Sequence, residues 1–270
     1  MSLQPLQDSM ALALDANAIK AHIKLQLPKR LDVLAEVAST NSFLLERSIY
    51  RQSACVCLAE TQTAGRGRHG NHWVSTPHRN IMFSLSWGFC GWPQDVAALS
   101  LAVGVGVTAM LNEEFEIGAT IKRPNDILVN DAKLAGILID VSGHSKSDCQ
   151  VVVGIGVNVN QADWNDDLDY QWCDLKRLGI DVDRNILAAK LIDVLILVLR
   201  SFENHGFAPM MQAWNELSAF TNRQVRIIQT TGSLDGVMLG VDADGALLIK
   251  DNNGDQQRFT DSRASLRLLS

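Results

Sequence analysis

Gly65-Arg66-Gly67-Arg68-His69-Gly70-Asn71-His72 is the stretch of this chain whose residue types most plainly imply chemistry. The whole chain carries a formal charge of -6, yet no carboxylate occurs between Glu60 and Asp95. That window instead holds Arg66, Arg68, Arg79, His69, His72 and His78. Glycines at 65, 67 and 70 let the backbone come close to a ligand. Forked guanidinium donors suit carboxylates and phosphates. A solvated basic loop is the bland alternative; the missing acids and the tight glycine spacing favour an anion site.

The same glycines spell G-x-G-x-x-G, but that dinucleotide fingerprint needs a helix opening at the third glycine and an acid about 20 positions on. Here Asn71-His72-Trp73 runs into Pro77, and no acid follows before Asp95. The Gly-Lys-Ser/Thr of a phosphate-binding P-loop does not follow either.

A second charged constellation is Lys122-Arg123-Pro124-Asn125-Asp126, followed by Lys133-Leu134-Ala135-Gly136. Proline puts Asn125 and Asp126 at a strand end, where polar groups project into clefts. Lys122 and Lys133 flank a hairpin and can reach one site. Asn125 and Asp126 suit orienting an amine, holding a metal-bound phosphate or recognising a purine. An ordinary turn between surface lysines fits this segment equally well when it is taken alone. In Gly154-Ile155-Gly156-Val157-Asn158, two glycines weaken a β-branched strand, which calls for a close backbone approach or a bulge. The histidines and cysteines do not cluster at ligand spacings, and no Ser-His-Asp or paired-carboxylate pattern is present. Chemistry without a protein nucleophile fits best: an anion positioned while a phosphoryl or adenylyl group transfers.

The elements that must hold these residues read as a mixed α/β unit. The first thirty or so residues form an amphipathic helix and a linker ending at Pro28. Ser39-Thr40-Asn41 caps a helix carrying Phe43, Leu44 and Leu45. Strands are expected at Ala54–Ala59, Ile81–Trp87, Ala119–Arg123, Ile127–Val129, Leu134–Val141 and Val151–Val159, with Asn130-Asp131 as a turn. Helices are expected at Val96–Leu111, Asp183–Asn204 and Met210–Phe220, with Gly206 as terminator. From Thr221 short alternating runs separated by Gly and Asp turns predict a small antiparallel β-barrel. The expected division is 1–38 N-terminal helix and linker, 39–220 catalytic domain, and 221–270 β-domain.

With 270 residues, 47 % of them hydrophobic, the chain can bury a full core. Its acidic balance argues against nonspecific nucleic-acid binding. Five cysteines without C-x-x-C spacing suggest buried thiols in a reducing cytoplasm. The apolar run from Ile186 to Leu199 is broken by Lys190 and Asp193, so no membrane association is expected.

Taken together, Ser39-Thr40-Asn41, the segment Glu60 to Trp73, Lys122 to Asp126, Lys133 to Gly136, Gly154 to Asn158 and Asp183 to Ala189 resemble the biotin–protein ligases. The similarity runs in order through most of the chain past residue 38. It implies an α+β fold: a mixed sheet with helices on one side, of the class II synthetase and biotin–lipoate ligase kind, followed by an SH3-like barrel. It implies formation of biotinyl-5'-AMP from biotin and MgATP, then transfer to a lysine of the biotin carboxyl carrier protein of acetyl-CoA carboxylase. By position, Ser39, Thr40, Asn41, Gln62 and Ser84 would line the biotin site, with Gly65, Arg66, Gly67, Arg68, Lys133, Gly136, Gly154 and Gly156. Arg66, Arg68, Lys122, Asn125, Lys133 and Asn158 would meet ATP or the adenylate. Arg68, Lys122 and Asp126 would be catalytic, Asp126 orienting or deprotonating the incoming lysine, with magnesium carried on ATP rather than on protein ligands. Arg123 stands where tryptophan is usual in the family, and His69 and Asn71 where some relatives have arginine.

Some members precede the ligase with a winged helix-turn-helix domain of about 60 residues. Only thirty-eight residues precede Ser39, so no DNA-binding function is expected. The resemblance allows a monomer or a homodimer. The rival readings are a lipoate–protein ligase, which shares the fold and the adenylate chemistry, and a non-catalytic biotin-binding regulator.

Overall fold

The computed structural model describes residues 13–47, 54–89, 96–145, 148–161, 171–229, 232–260 and 264–269. Cys90 and residues 1–12 of the expected N-terminal helix and linker lie outside them. The described part of that segment holds a short helix, α1 (Ala16–His22), capped by Asp15, which accepts from the amides of Asn17 and Ala18.

Apolar alternation between residues 30 and 157 builds one sheet of seven strands. These are β1 (Arg30–Val37), β2 (Cys55–Gln62), β3 (Ile81–Phe89), β4 (Thr120–Lys122), β5 (Asp126–Val129), β6 (Ala132–Ser145) and β7 (Asp148–Val157). Their order is β1-β2-β3-β7-β6-β5-β4. β1 runs parallel to β2, and the remaining pairs are antiparallel. β1 occupies residues where a linker was expected. Arg30, Asp32 and Glu36 share one face of this strand and lower its apolar content, and an edge strand tolerates such charges because one side faces solvent.

Side chains alternate across the sheet, and the two faces meet different helices. Val56 and Leu58 join the large core that α3 (Val96–Phe115), α4 (Arg184–His205) and α5 (Met211–Leu217) complete with Leu99, Leu191, Leu195 and Trp214. Cys55 and Cys57 point the other way and meet Leu44 of α2 (Thr40–Glu46). Helices therefore cover both faces rather than one. Ser39 Oγ caps α2 by accepting from the Ser42 amide at 3.5 Å, as its sequence position predicts. Asp183 caps α4, which ends at Gly206 with φ 66°.

The C-terminal strands are β8 (Gln224–Gln229), β9 (Gly232–Val241), β10 (Leu247–Asp251), β11 (Gln256–Phe259) and β12 (Ser265–Leu268). They form an antiparallel sheet in the order β11-β10-β9-β8-β12. Among the described residues no pairing joins β11 to β12, so this sheet is open where a closed barrel was expected. Its turns carry the expected chemistry. Asp242 accepts from the amides of Asp244 and Ala246, and Asp251 from those of Asn253 and Asp255.

A β-bulge lies between β5 and β6. Ile127 pairs with Ala135, but Leu128 pairs with Lys133, leaving Leu134 as the extra residue. Leu134 and Ala135 are both buried in the large core, while Lys133 is turned to the opposite face. The Asn130-Asp131 turn between the two strands has positive φ at both residues, as a tight hairpin requires.

Candidate active site

The register of the sheet assembles the site. Lys122 pairs with Asp126, Asp126 with Gly136, Gly136 with Gly156, Gly156 with Met82, and Met82 with Ala59. A second row runs from Leu138 through Gly154 and Ser84 to Cys57. Paired residues share a face. Both rows therefore lie on the α2 side, under a cleft of about 670 Å³ closed from above by loop 65–73 and from one end by β12.

Most residues singled out in the sequence line this cleft: Ser39, Thr40, Asn41, Gln62, Arg66, Gly67, Arg68, Lys122, Asn125, Asp126, Lys133, Gly136, Gly154 and Gly156. Three sit elsewhere. Gly65 faces an adjoining recess behind the loop. Ser84 is fully buried beneath the floor, with Oγ 2.7 Å from Thr40 Oγ1 and 2.5 Å from Asn41 Oδ1. Asn158 is buried behind β6 and pins the bulge. Its amide donates to Leu134 O at 3.0 Å, and its Nδ2 donates to Lys133 O at 3.3 Å and Cys173 O at 3.1 Å.

One end of the cleft is polar and carries no net charge, because Arg66 is paired there with Asp140. Gln62 Oε1 accepts from the Thr40 amide at 2.9 Å and lies 3.2 Å from its hydroxyl, leaving the Gln62 NH₂ to offer a ligand. The floor beside it has no side chains because none would fit. A Cβ on Gly154 would stand 2.2 Å from Asn41 Oδ1, and one on Gly156 would stand 2.3 Å from the Trp73 indole. Trp73 lies flat across the two glycine strands, reaching Gly136 as well.

The other end is cationic. Lys133 Nζ sits 2.7 Å from Asp126 Oδ1 and 5.7 Å from the centre of the Trp73 ring. Burial pushes Lys122 below the ordinary lysine value; Asp126 opposes this, while Arg267 and Lys133 add to it. Burial also lowers Arg68, again against the pull of Asp126. Asp126 thus faces several cations, and the surplus positive charge in a part-buried cleft suits an anion.

The loop carrying Arg68 is a small hairpin. Gly67 N donates to Asn71 O at 2.7 Å, Trp73 N donates to Gly65 O at 3.0 Å, and Arg66 bridges to His72. Its leading strand is anchored on the far side of the sheet. Glu60 receives Arg184 Nη1 at 2.7 Å, Arg184 Nη2 at 3.2 Å and the Leu14 amide at 2.6 Å, with His78 Nδ1 3.4 Å away.

Sequence reasoning missed three residues here. Trp73 ends the loop motif, and a glycine-thinned floor needs a large neighbour to fill the space. Asp140 stands one face-repeat beyond Leu138, as its spacing in β6 gives. Arg267 reaches the cleft from β12 and carries no local signal, because the approach of the two sheets alone brings it there.

A polar recess beside a knot of cations suits a small uncharged head group with an acidic tail. The mixed sheet with its appended antiparallel sheet is the architecture of ligases that activate such acids. Residues 33–158 match the biotin/lipoate A/B protein ligase family, and residues 220–267 match the biotin protein ligase C-terminal domain. The chain belongs to the biotin protein ligase family. It is 37 % identical over 221 residues to the bifunctional ligase/repressor BirA of Escherichia coli, covering 82 % of this chain and 69 % of that one. It is 33 % identical to the biotin–[acetyl-CoA-carboxylase] ligase of Mycobacterium tuberculosis, covering 82 % of this chain and 83 % of that one. Among solved structures, the biotin protein ligase from Aquifex aeolicus in complex with biotin and ATP superposes with a TM-score of 0.76 at 27 % identity, covering 89 % of this chain and all of the other.

Proposed function

We propose that this protein is an ATP-dependent biotin–protein ligase acting on a biotin carboxyl carrier protein of acetyl-CoA carboxylase. The observation that carries this reading is the cluster of Arg68, Lys122 and Lys133 around Asp126, at one end of a glycine floor whose other end is polar without net charge.

The uncharged end, with Ser39, Thr40, Asn41 and Gln62, would take the ureido ring, with Trp73, seated on the glycines, beside it. The biotin carboxylate would lie toward Lys122 and Lys133. A carboxylate oxygen attacks the α-phosphorus, an O–P bond forms, and pyrophosphate leaves with the electrons of the broken P–O bond. Lys122 and Arg68 act as fixed cations that stabilise the charge gathering on the phosphate oxygens. Magnesium would arrive on the triphosphate and draw off phosphate charge. Asn125 would meet the nucleotide. Asn158, buried outside the cleft with its Nδ2 on Lys133 O and Cys173 O, would act on the adenylate only by holding Lys133 in place.

In the second step the carrier lysine attacks the acyl carbon, an amide bond forms and AMP departs. Asp126 would orient the amine and accept its proton. Asp126→Asn is then expected to slow transfer from isolated biotinyl-AMP more than it slows adenylation. Equal losses in the two half-reactions would remove that role.

Gly156→Ala should weaken biotin binding roughly tenfold while leaving the fold intact, because the new methyl must push the indole off the floor at about 1–3 kcal/mol. Titration of biotin followed by tryptophan fluorescence reads this directly. Unchanged affinity would mean that the floor is not the biotin surface.

The same reading puts the protein in the cytoplasm, supported by the free, buried Cys55, Cys57, Cys149 and Cys173. Among the described residues no helix is long and apolar enough to cross a membrane. The function is tested by intact-mass spectrometry of a carrier domain incubated with the protein, biotin and MgATP, with lipoate run in parallel. An ATP-dependent gain of one biotin supports it. A gain of lipoate instead, or biotin binding without turnover, would replace it with one of the two rivals.

A further inference from the structure

Asp140 projects from β6 on the cleft face, two ladder rows and roughly 13 Å along the strand from Gly136. Its two oxygens are engaged separately. Oδ1 lies 3.0 Å from Arg66 Nη2, and Oδ2 accepts from Asn41 Nδ2 at 2.9 Å. Arg66 also reaches Ser42 Oγ at 3.3 Å. Asn41, through Oδ1, meets Ser84 and fills the space above Gly154. A continuous polar chain therefore runs from the loop through Asp140 to the floor of the uncharged end. Arg66 is spent at the opposite end from Lys122 and does not add to the cation cluster.

From this geometry we infer that Asp140 is a positioning residue: it latches the glycine-rich loop, through Arg66, onto the same asparagine that shapes the biotin floor. The inference rests on the biotin ligase reading for its ligand and on the loop contacts alone for its mechanics. With the latch closed, the loop stays over the ring-binding end, and biotin and its adenylate are retained. Without it, the hairpin is held by backbone bonds at its own base. In the ligand-free protein the ring-binding end then opens, carrying Arg68 with the hairpin, and closes again when biotin and ATP saturate the cleft; Lys122 and Asp126 keep their places on the sheet.

The effect is bounded by the exposure of the pair. Arg66 is 45 % exposed and Asp140 19 %. A part-exposed ion pair contributes up to about fivefold in an equilibrium constant, and the lost charge-assisted bond to Asn41 adds to it. Asp140→Asn keeps an acceptor for Asn41 but loses the ion pair; Asp140→Ala loses both. The expected result is a KM for biotin raised about threefold by the first and about tenfold by the second, with kcat for adenylation within about twofold of the parent. Biotinyl-AMP should leave the protein correspondingly faster.

The decisive test adds a readout that needs no turnover. Limited trypsin cleavage after Arg66 and Arg68 in the ligand-free protein should be several-fold faster in Asp140→Asn at unchanged Tm. A double-mutant cycle of Arg66→Ala and Asp140→Ala on biotin affinity should be non-additive. Equal trypsin rates, or strict additivity, would overturn the latch. If the parent protein made no biotinyl-AMP, the functional reading would fall, while the trypsin comparison would still decide whether Asp140 holds the loop.

Discussion

Lys122→Met is expected to slow formation of biotinyl-AMP by about 10²–10³-fold while changing biotin affinity far less. Lys122 stands at the head of the row that passes through Asp126 and the two floor glycines, in a cleft with Asp126, Lys133 and Arg267 as charged neighbours. A fixed cation there helps most when charge concentrates on the α-phosphate, so its loss falls on kcat rather than on ground-state binding. Pyrophosphate release measures the first half-reaction, and transfer from supplied biotinyl-AMP measures the second. The first should collapse and the second should suffer less.

The charge state of Lys122 gives a further reading of the same experiment. Burial holds it below the ordinary lysine value of about 10.4. Only the protonated form is useful, so kcat/KM should fall as pH rises through this depressed value. The alkaline limb should accordingly lie below that of a solvent-exposed lysine. Lys122→Arg should push the limb upward while restoring part of the rate. A pH profile identical in the parent and the arginine variant would assign the limb to another group.

Arg184→Leu is expected to destabilise the fold by about 3–5 kcal/mol, because it strands the Glu60 carboxylate in the interior. The two side chains are 3 % and 6 % exposed and joined by two hydrogen bonds. For a chain of this size the loss corresponds to a fall in Tm of roughly 10 °C. Replacing both residues with leucine should recover much of it, though not all, since the Leu14 amide also donates to Glu60. Burial acts to raise the Glu60 pKa, but Arg184, the Leu14 amide and His78 together outweigh it and hold the group below the ordinary carboxylate range. The stability this supplies is present in full above the unfolded value of about 4.3 and disappears as pH falls through the folded one. The gap between the parent and Glu60→Gln should therefore close in acid, and thermal melts across that range measure it. A gap that widened in acid would contradict the assignment.

The loop, the Lys122–Asp126 segment and the glycine strand were legible because each breaks the local pattern around it. Gly154 and Gly156 weaken a strand without apparent reason, and the reason proves to be Asn41 and Trp73 standing over them. β1 was not legible: Arg30, Asp32 and Glu36 make an edge strand read as linker. The placement of α2 opposite the other helices was hidden as well, since alternation along β2 gives two apolar faces without saying which helix each one meets. The expected barrel failed for a related reason, because turn spacing predicts hairpins but not whether the first and last edges join. Asn158 and Arg267 show the limit for single residues. One carries a motif yet works from behind the strand, and the other lacks a motif yet lines the cleft.

The bulge at Leu134 makes the catalytic face a question of parity. Counting by twos from Gly136, through Leu138 to Asp140, the residues of β6 on the α2 side beyond the bulge are even-numbered, whereas Lys133 before it is odd. The extra residue corrects the count once, between the turn and the floor. Without the bulge, regular alternation back from Ala135 would put Leu134 into the cleft and turn the Lys133 ammonium toward the hydrocarbon core; deleting Leu134 would restore the alternation and leave Lys133 on the cleft face. In this stretch it is the bulged backbone, rather than the identity of Leu134, that keeps an odd-numbered lysine on an even-numbered face.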